Sequence, residues 1–497
     1  MFQALLTLSR QTLIYGLGKV VTRLIPFIIL PVLTNVLTPE QFGTQILFYI
    51  LIAVIMEFVR LGQDIALLRF YVLEKDSERR KLIFSTIFWT SISFTSLITF
   101  LLFYFPEFWV SLLVNQPQPH PDWMIYSLKL CAGICWLDNM AAFPLIVMRG
   151  DNRSGRFLFA TISGVLLQTV LTIWMLIGLD RGIVAIFEAN ILASLFVFLI
   201  TLPTVFSRIR FAFDTPILIA CLAFGLPNLP NVVFVQVIEF SDRKILELYR
   251  SASEVGIYSA GYKLGMFLSI VAMGFRLAWQ PFFLQISNRP DAKLIYGRVL
   301  TYFAAVICWI FLILTAIIQP LVRWEIPGIE KSLIPPEYWQ GVEIFPIILL
   351  AHVFNGLYAV FVVGIYLKKK IHVLPWFTAI AALVNIGGNL WLVPYYGMWA
   401  SAWLTVVSYG LMAVLLYIYV QKIYPTIYEW GRVVHIILVG VVIYVLGVVA
   451  NNSHMAALAF AMAVIFPLAL VVTGLPNKGE RAKLRKLGSL VMGIIKS

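Results

Sequence analysis

Apolar runs of about 20 residues follow one another along nearly the whole chain, separated by short polar stretches. That pattern limits the fold more than any motif does. A run of about 20 residues crosses roughly 30 Å of hydrocarbon as a helix. In that solvent every backbone N–H and C=O must be bonded within the protein, so a spanning segment is a helix or part of a closed barrel. The alternating ten-residue segments of a barrel are absent. The reading is an all-α polytopic membrane protein with about 14 transmembrane helices. They are placed at 12–34, 42–60, 82–105, 123–148, 157–179, 182–206, 215–239, 254–282, 297–319, 341–367, 372–394, 397–420, 432–450 and 455–474. A mean hydropathy of +0.91 and 12% charged residues exclude an ordinary soluble domain. The first run is long enough to remain as a helix and lacks the short core and cleavage site of a removable signal.

Charge gives the expected orientation. Of 37 Lys and Arg residues, 26 fall in segments that share a side with the N-terminus, from Arg10 and the stretch 60–81 to the tail after Pro476. Only six fall in the opposite segments: Arg181, Arg243, Lys244, Arg250, Arg323 and Lys331. By the positive-inside rule both termini are cytoplasmic. The net charge of +13 then belongs to loops facing an anionic leaflet, and nucleic acid is not an expected partner. In the tail, Leu484, Leu487, Val491, Ile494 and Ile495 recur at helical spacing between basic residues, as in a helix lying on membrane lipids. Cys131, Cys135, Cys221 and Cys308 all fall within predicted helices and read as packing residues, with no metal-ligand spacing.

The chain divides around the stretch 224–283. There Gly225, Pro227 and Pro230 break an apolar segment, a short polar turn follows at Ser241-Asp242-Arg243, and a second apolar segment carries Lys263 and Arg276. A weaker echo runs from Tyr15-Gly16-Leu17 through Pro26 and Pro31 to Thr38-Pro39-Glu40-Gln41-Phe42-Gly43. Interrupted helices at matching places in two halves mark the centre of a transporter. The expected division is a six-helix bundle at 1–214, a second at 215–425 related to it by a pseudo-two-fold, an extra helix pair at 426–475 and a basic amphipathic cytoplasmic tail at 476–497.

These stretches carry a resemblance. FGLPNLPN, SDRKIL, SEVGIYSAGYKL and AWQPFF, together with LTPEQFGTQ, RLGQDIALLRFY and the opening RQTLIYGLGKVVTRLIPFIILPVL, resemble Wzx-type polysaccharide flippases. These belong to the multidrug/oligosaccharidyl-lipid/polysaccharide exporter superfamily, and the likeness covers most of residues 9–422. It implies two six-helix bundles around a central cavity in a bacterial cytoplasmic membrane. The activity it implies is translocation of undecaprenyl-diphosphate-linked oligosaccharide, for O-antigen, exopolysaccharide or a similar glycan, alongside other polysaccharide-assembly proteins.

Five cations fall within predicted helices, where an unpaired charge costs roughly 3 kcal/mol. Arg23 and Lys19 lie four apart on one helical face, and with Lys263 and Arg276 they are the candidate cavity groups for a diphosphate. An ion pair between Arg23 and Asp138 is the structural alternative, and Lys129 reads as a snorkelling residue. Asp138, Glu188, Glu239 and His352 are candidates for H+ or Na+ coupling, although His352 also suits a satisfied polar site in the bundle. Asn355, Asn385 and Asn389 read as interhelical hydrogen-bonding groups. Arg60, Asp64 and Arg69, after the second helix, are candidates for an inner gate or for a solvated face. No P-loop, catalytic set or nucleotide fingerprint appears, so no catalysis is expected. A cation-coupled drug antiporter of the same superfamily would want an anionic cavity. A membrane polymerase or ligase would want a large catalytic outer loop, and the longest here, Gln319–Gln340, carries no such cluster.

Overall fold

The computed structural model describes residues 22, 24–25, 27–151, 153–325, 327, 331–452 and 456–476. Among them the chain is helical, and its strand-like geometry amounts to one isolated bridge between Glu325 and Ser332. Twelve helices are long and apolar enough to cross a membrane, and two shorter apolar ones, Phe27–Val36 and Ala456–Val472, fall where the first and fourteenth spans are expected. The helices are α1 (Phe27–Val36), α2 (Pro39–Arg60), α3 (Gln63–Leu73), α4 (Ser77–Tyr104), α5 (Pro106–Leu113), α6 (Asp122–Gly150), α7 (Ser154–Ile173) and α8 (Val184–Arg208). Then come α9 (Thr215–Gly225), α10 (Leu229–Tyr249), α11 (Ala252–Gly265), α12 (Phe267–Ile286), α13 (Ala292–Val322), α14 (Trp339–Glu343), α15 (Phe345–Phe361) and α16 (Val363–Leu367). The series ends with α17 (Leu374–Tyr396), α18 (Met398–Ile423), α19 (Trp430–Asn452) and α20 (Ala456–Val472). Lys19, Arg23 and the amphipathic tail beyond Pro476 lie outside the described residues.

The expected division into two halves has a local counterpart in the helix starts. Thr38 caps α2 by accepting from the Gln41 amide, Gln41 returns the bond to the Thr38 N–H, and Pro39 supplies a preset first turn. Ser251 caps α11 in the same way, accepting from the Glu254 amide. An offset of 213 residues carries Thr38 onto Ser251 and Gly43 onto Gly256. Those two glycines meet. A Cβ on Gly43 would lie 1.8 Å from the Ala252 carbonyl oxygen, and one on Gly256 would lie 1.9 Å from that of Pro39. So α2 and α11 pack backbone to backbone as a seam between the halves, at the end of the bundle away from the basic loops. The apolar core is continuous across it, from Phe42 and Leu47 to Val255 and Tyr258.

Beyond the seam the arms diverge. The span begun by α2 bends at Leu61 and Gly62, both in left-handed backbone geometry, and continues as α3 against α4, α6 and α9. On the other side α12 continues from α11 and packs on α13 and α15. The seventh span straddles the halves. Its first segment, α9, puts Cys221 among Ala66, Leu67, Tyr71 and Phe84 of the first half, whereas α10 packs along α17 of the second. The break between them, Leu226-Pro227-Asn228, is the predicted Gly/Pro interruption, drawn as a single 3-10 turn. The final pair, α19 and α20, packs on α13 at the edge of the second half.

One expectation is overturned here. Ser241-Asp242-Arg243 was to be a polar turn, with Arg243 and Lys244 in an outer loop, but α10 runs unbroken to Tyr249 and buries Asp242 and Arg243 completely or nearly so. The helix tolerates the pair because each neutralises the other and Tyr258 completes the bonding. A buried charge is tolerated only when so paired. The spacing Ile238, Asp242, Ile245, Leu246 keeps one buried helical face through the polar residues.

Candidate polar cavities in the two halves

Inside the second half lies a cavity of about 510 Å³, bounded by α10, α12, α15, α17 and α18. Its polar lining includes Gln236, Glu239, Arg276, His352, Asn355 and Tyr409. Arg276 is exposed on α12 and donates through Nη2 to Asn355 Oδ1 at 2.7 Å. Tyr409 links Asn355 to the carboxylate, its hydroxyl standing 3.3 Å from Glu239 Oε1. A guanidinium, an amide, a phenol and a carboxylate thus form one chain across the cavity. His352 is buried between the rings of Tyr262 and Tyr409, with centroids 6.2 and 6.1 Å away.

Next to this cavity is the buried network that the sequence reading took for a turn. Arg243 Nη1 lies 2.8 Å from Asp242 Oδ1, and the Tyr258 hydroxyl donates to Asp242 Oδ2 at 2.5 Å. The guanidinium also stacks over Tyr262 at 4.0 Å and donates to the Glu239 carbonyl. Below it Ser241, Asn385, Ser408, Asn389 and Ser401 join α10, α17 and α18 by hydrogen bonds of 2.8–3.2 Å. Asn385 and Asn389 therefore stand where interhelical bonding groups were expected. Asn355 also bonds between helices, to Arg276 and Tyr409, and it lines the cavity as well.

The first half holds a separate polar cluster. Arg60 Nε reaches Asn139 Oδ1 at 3.4 Å, and Asn139 Nδ2 donates to Ser91 and Thr95 at 2.8 and 2.7 Å. Asp138 sits beside the Ser194 hydroxyl and within the field of Arg60. Asn190 donates to the Tyr49 hydroxyl at 3.0 Å. The candidate gate residues are thus dispersed. Arg60 serves this cluster, Asp64 opens α3, and Arg69 lies 4.2 Å over the ring of Phe224 where α3 meets α9.

Other candidates also fall in different places. Lys263 faces the seam, its Nζ 4.7 Å from the Phe42 ring centroid, about three and a half turns before Arg276. Glu188 lies at the start of α8, held by both nitrogens of the Arg181 fork (Nε to Oε2 is 3.2 Å) and by Tyr126 at 3.3 Å. Lys129 lies 5.5 Å over Phe103. Among the described residues no three or more His, Cys, Asp or Glu side chains converge as a metal site. Sequence reasoning missed Tyr409 and Tyr258, because a tyrosine in an apolar helix carries no signal of its partner.

Comparison with known proteins places these features. Residues 8–287 match the family of polysaccharide biosynthesis proteins. The fold resembles the lipid II flippase MurJ in an inward closed conformation, with a TM-score of 0.76 at 13% identity over 92% of this chain and 98% of that one. It also resembles an inward-facing multidrug resistance MATE family transporter of the MOP superfamily (TM-score 0.67, 13% identity, 83% and 95% covered). A Vibrio cholerae MATE transporter, the VcmN D35N mutant, aligns with a TM-score of 0.55 at 15% identity over 84% and 96%. Comparison with curated protein sequences finds no match.

Proposed function

We propose, for a chain that belongs to the polysaccharide biosynthesis protein family and has the fold of a membrane transporter, that it flips a lipid-linked oligosaccharide. The cargo is an undecaprenyl-diphosphate-linked saccharide carried from the inner to the outer leaflet of a bacterial cytoplasmic membrane by alternating access. The observation carrying this reading is the exposed Arg276 in the second-half cavity, oriented by Asn355. A guanidinium presents a rigid fork of donors that matches phosphate oxygens, and it stays charged at any physiological pH. The closed seam at one end and the diverging arms at the other give such a group access from the basic, cytoplasmic side. Arg23 and Lys19 are proposed as a second cation pair on the first span. Asp138 and Glu239 are proposed as the coupling carboxylates, one in each half, Asp138 within the field of Arg60 and Glu239 linked to Arg276 through Tyr409 and Asn355. Both termini are cytoplasmic in this reading, and no bond is made or broken in the cargo.

The test is export in cells. Deleting the gene should leave lipid-linked saccharide accumulating on the cytoplasmic face, and the wild-type chain should clear it. Arg276→Gln should reach normal membrane abundance with export lowered at least tenfold, and Arg276→Lys should recover part of it. Full export by Arg276→Gln would remove this arginine from the cargo path. Normal surface glycan in the deletion strain would overturn the function.

A further inference from the structure

Bonds between the halves at the seam end are paired in a way the glycine contact alone does not require. From the first half, the segment after α5 reaches α10: Lys244 Nζ donates to the Leu113 carbonyl at 3.1 Å, and the Asn115 amide donates to Glu247. Glu247 is itself buried and bound to Lys244 at 2.6 Å. From the second half, the segment before α14 reaches the end of α1. Asn35 Nδ2 donates to the carbonyls of Ser332 and Leu333, each at 3.2 Å, and the buried Tyr338 donates to the Leu37 carbonyl at 2.9 Å. Tyr338 also sets its ring edge-on to Phe42 of the seam, 5.9 Å between centroids.

In each case the loop after a half's third span holds the first span of the other half. The offset that relates the glycines carries Asn35 onto Leu248, beside Glu247. We propose that these two contacts are a reciprocal clasp that holds the seam closed, one arm charged (Lys244, Glu247) and the other neutral (Asn35, Tyr338). The bonds of Lys244 to Leu113, Asn115 to Glu247, Asn35 to Ser332 and Leu333, and Tyr338 to Leu37 join different halves, so they exist only in the state with the seam closed. An interaction made in one state alone shifts the equilibrium by its own free energy. Losing one neutral bond of about 1 kcal/mol net should raise the open fraction roughly fivefold. Two arms acting on one equilibrium should multiply their effects.

The inference rests on the alternating-access reading, but its test needs no cargo. Ala252 is buried where its carbonyl meets Gly43, so Ala252→Cys in purified full-length protein reports opening through its rate of maleimide labelling. The chain without Ala252→Cys supplies the background from the native cysteines. Tyr338→Phe, which keeps the ring and removes only the hydroxyl, should raise the rate roughly fivefold, and so should Lys244→Met. The double variant should show about the product. Asn35→Asp, which sets an acceptor against two carbonyls, should open the neutral arm if Tyr338→Phe does not yield a monodisperse protein. Glu247→Ala does the same for the charged arm, removing the acceptor for the Asn115 amide. Unchanged labelling on either side, in protein that elutes as a single folded species, overturns the clasp. If export fails while labelling follows this pattern, the error lies in the cargo and not in the gate.

Discussion

Asp242 and Arg243 show how much a single residue pair decides. Both are buried in α10, and Tyr258 and Tyr262 complete their surroundings from α11. Removing one charge leaves the other uncompensated, which costs about 3–5 kcal/mol in buried pairs. Asp242→Ala should therefore lower the melting temperature in detergent sharply and reduce membrane abundance. Tyr258→Phe, which removes one hydrogen bond and keeps the ring, should cost about 1 kcal/mol. Equal, small shifts for the two would show that the pair is solvated and α10 is not its anchor. This is also where the sequence was hardest to read. Four consecutive polar residues between apolar ones look the same whether they form a turn or a satisfied cluster inside a helix. The partner that decides is Tyr258, one helix later. The same limit hid the link from Arg60 to Asn139, which lies 79 residues away. Arg276 was legible because a lone arginine in an apolar helix needs an explanation wherever its partner lies.

At the scale of elements, the helix starts were legible and the bends were not. Caps and Gly/Pro punctuation are local, so the ends of α6, α13, α17 and α18 fall within a few residues of expectation. The bend at Leu61 and Gly62 depends on a distant contact: a Cβ on Gly62 would lie 2.4 Å from the Gly225 carbonyl oxygen, and its φ of +68° favours glycine. The seam depends on glycine in the same way. Gly256→Ala puts a methyl group into the Pro39 carbonyl, where no flexible side chain can give way. The two helices must then move apart, and because α2 and α11 begin the two halves, the movement opens the seam. We expect Gly256→Ala to label faster at Ala252→Cys than any clasp variant, and to hold the protein away from the closed-seam state, with export lost. Unchanged labelling and export would mean that the helices separate elsewhere.

The whole molecule sorts its loops by end, and this gives the charge argument a geometric basis. Arg208 pairs with Asp151 at 2.8 Å, Arg210 with Glu78, and Arg432 with Glu429 beside Arg298, so the segments rich in Lys and Arg meet one another. At the opposite end Asn35 meets Ser332, Glu247 meets Asn115, and Arg250 donates to the Tyr395 carbonyl at 2.9 Å. Contacts between loops so far apart in sequence require an even number of crossings between them. A missed or invented helix would have placed partners at opposite ends. Moving Arg243 from a loop into the buried face of α10 leaves one basic group fewer at the second end, which sharpens the bias under the positive-inside rule. We propose the orientation that this bias implies, with Lys369 facing the cytoplasm and Asn115 and Glu337 facing out. All three are exposed. In intact cells a cysteine at Asn115 or Glu337 should react with an impermeant thiol reagent, and one at Lys369 should react only after the membrane is permeabilised. Labelling of Lys369→Cys in sealed cells, with Asn115→Cys protected, would invert the molecule. The seam and its clasp would then face the cytoplasm, and Arg276 would be reached from the outside.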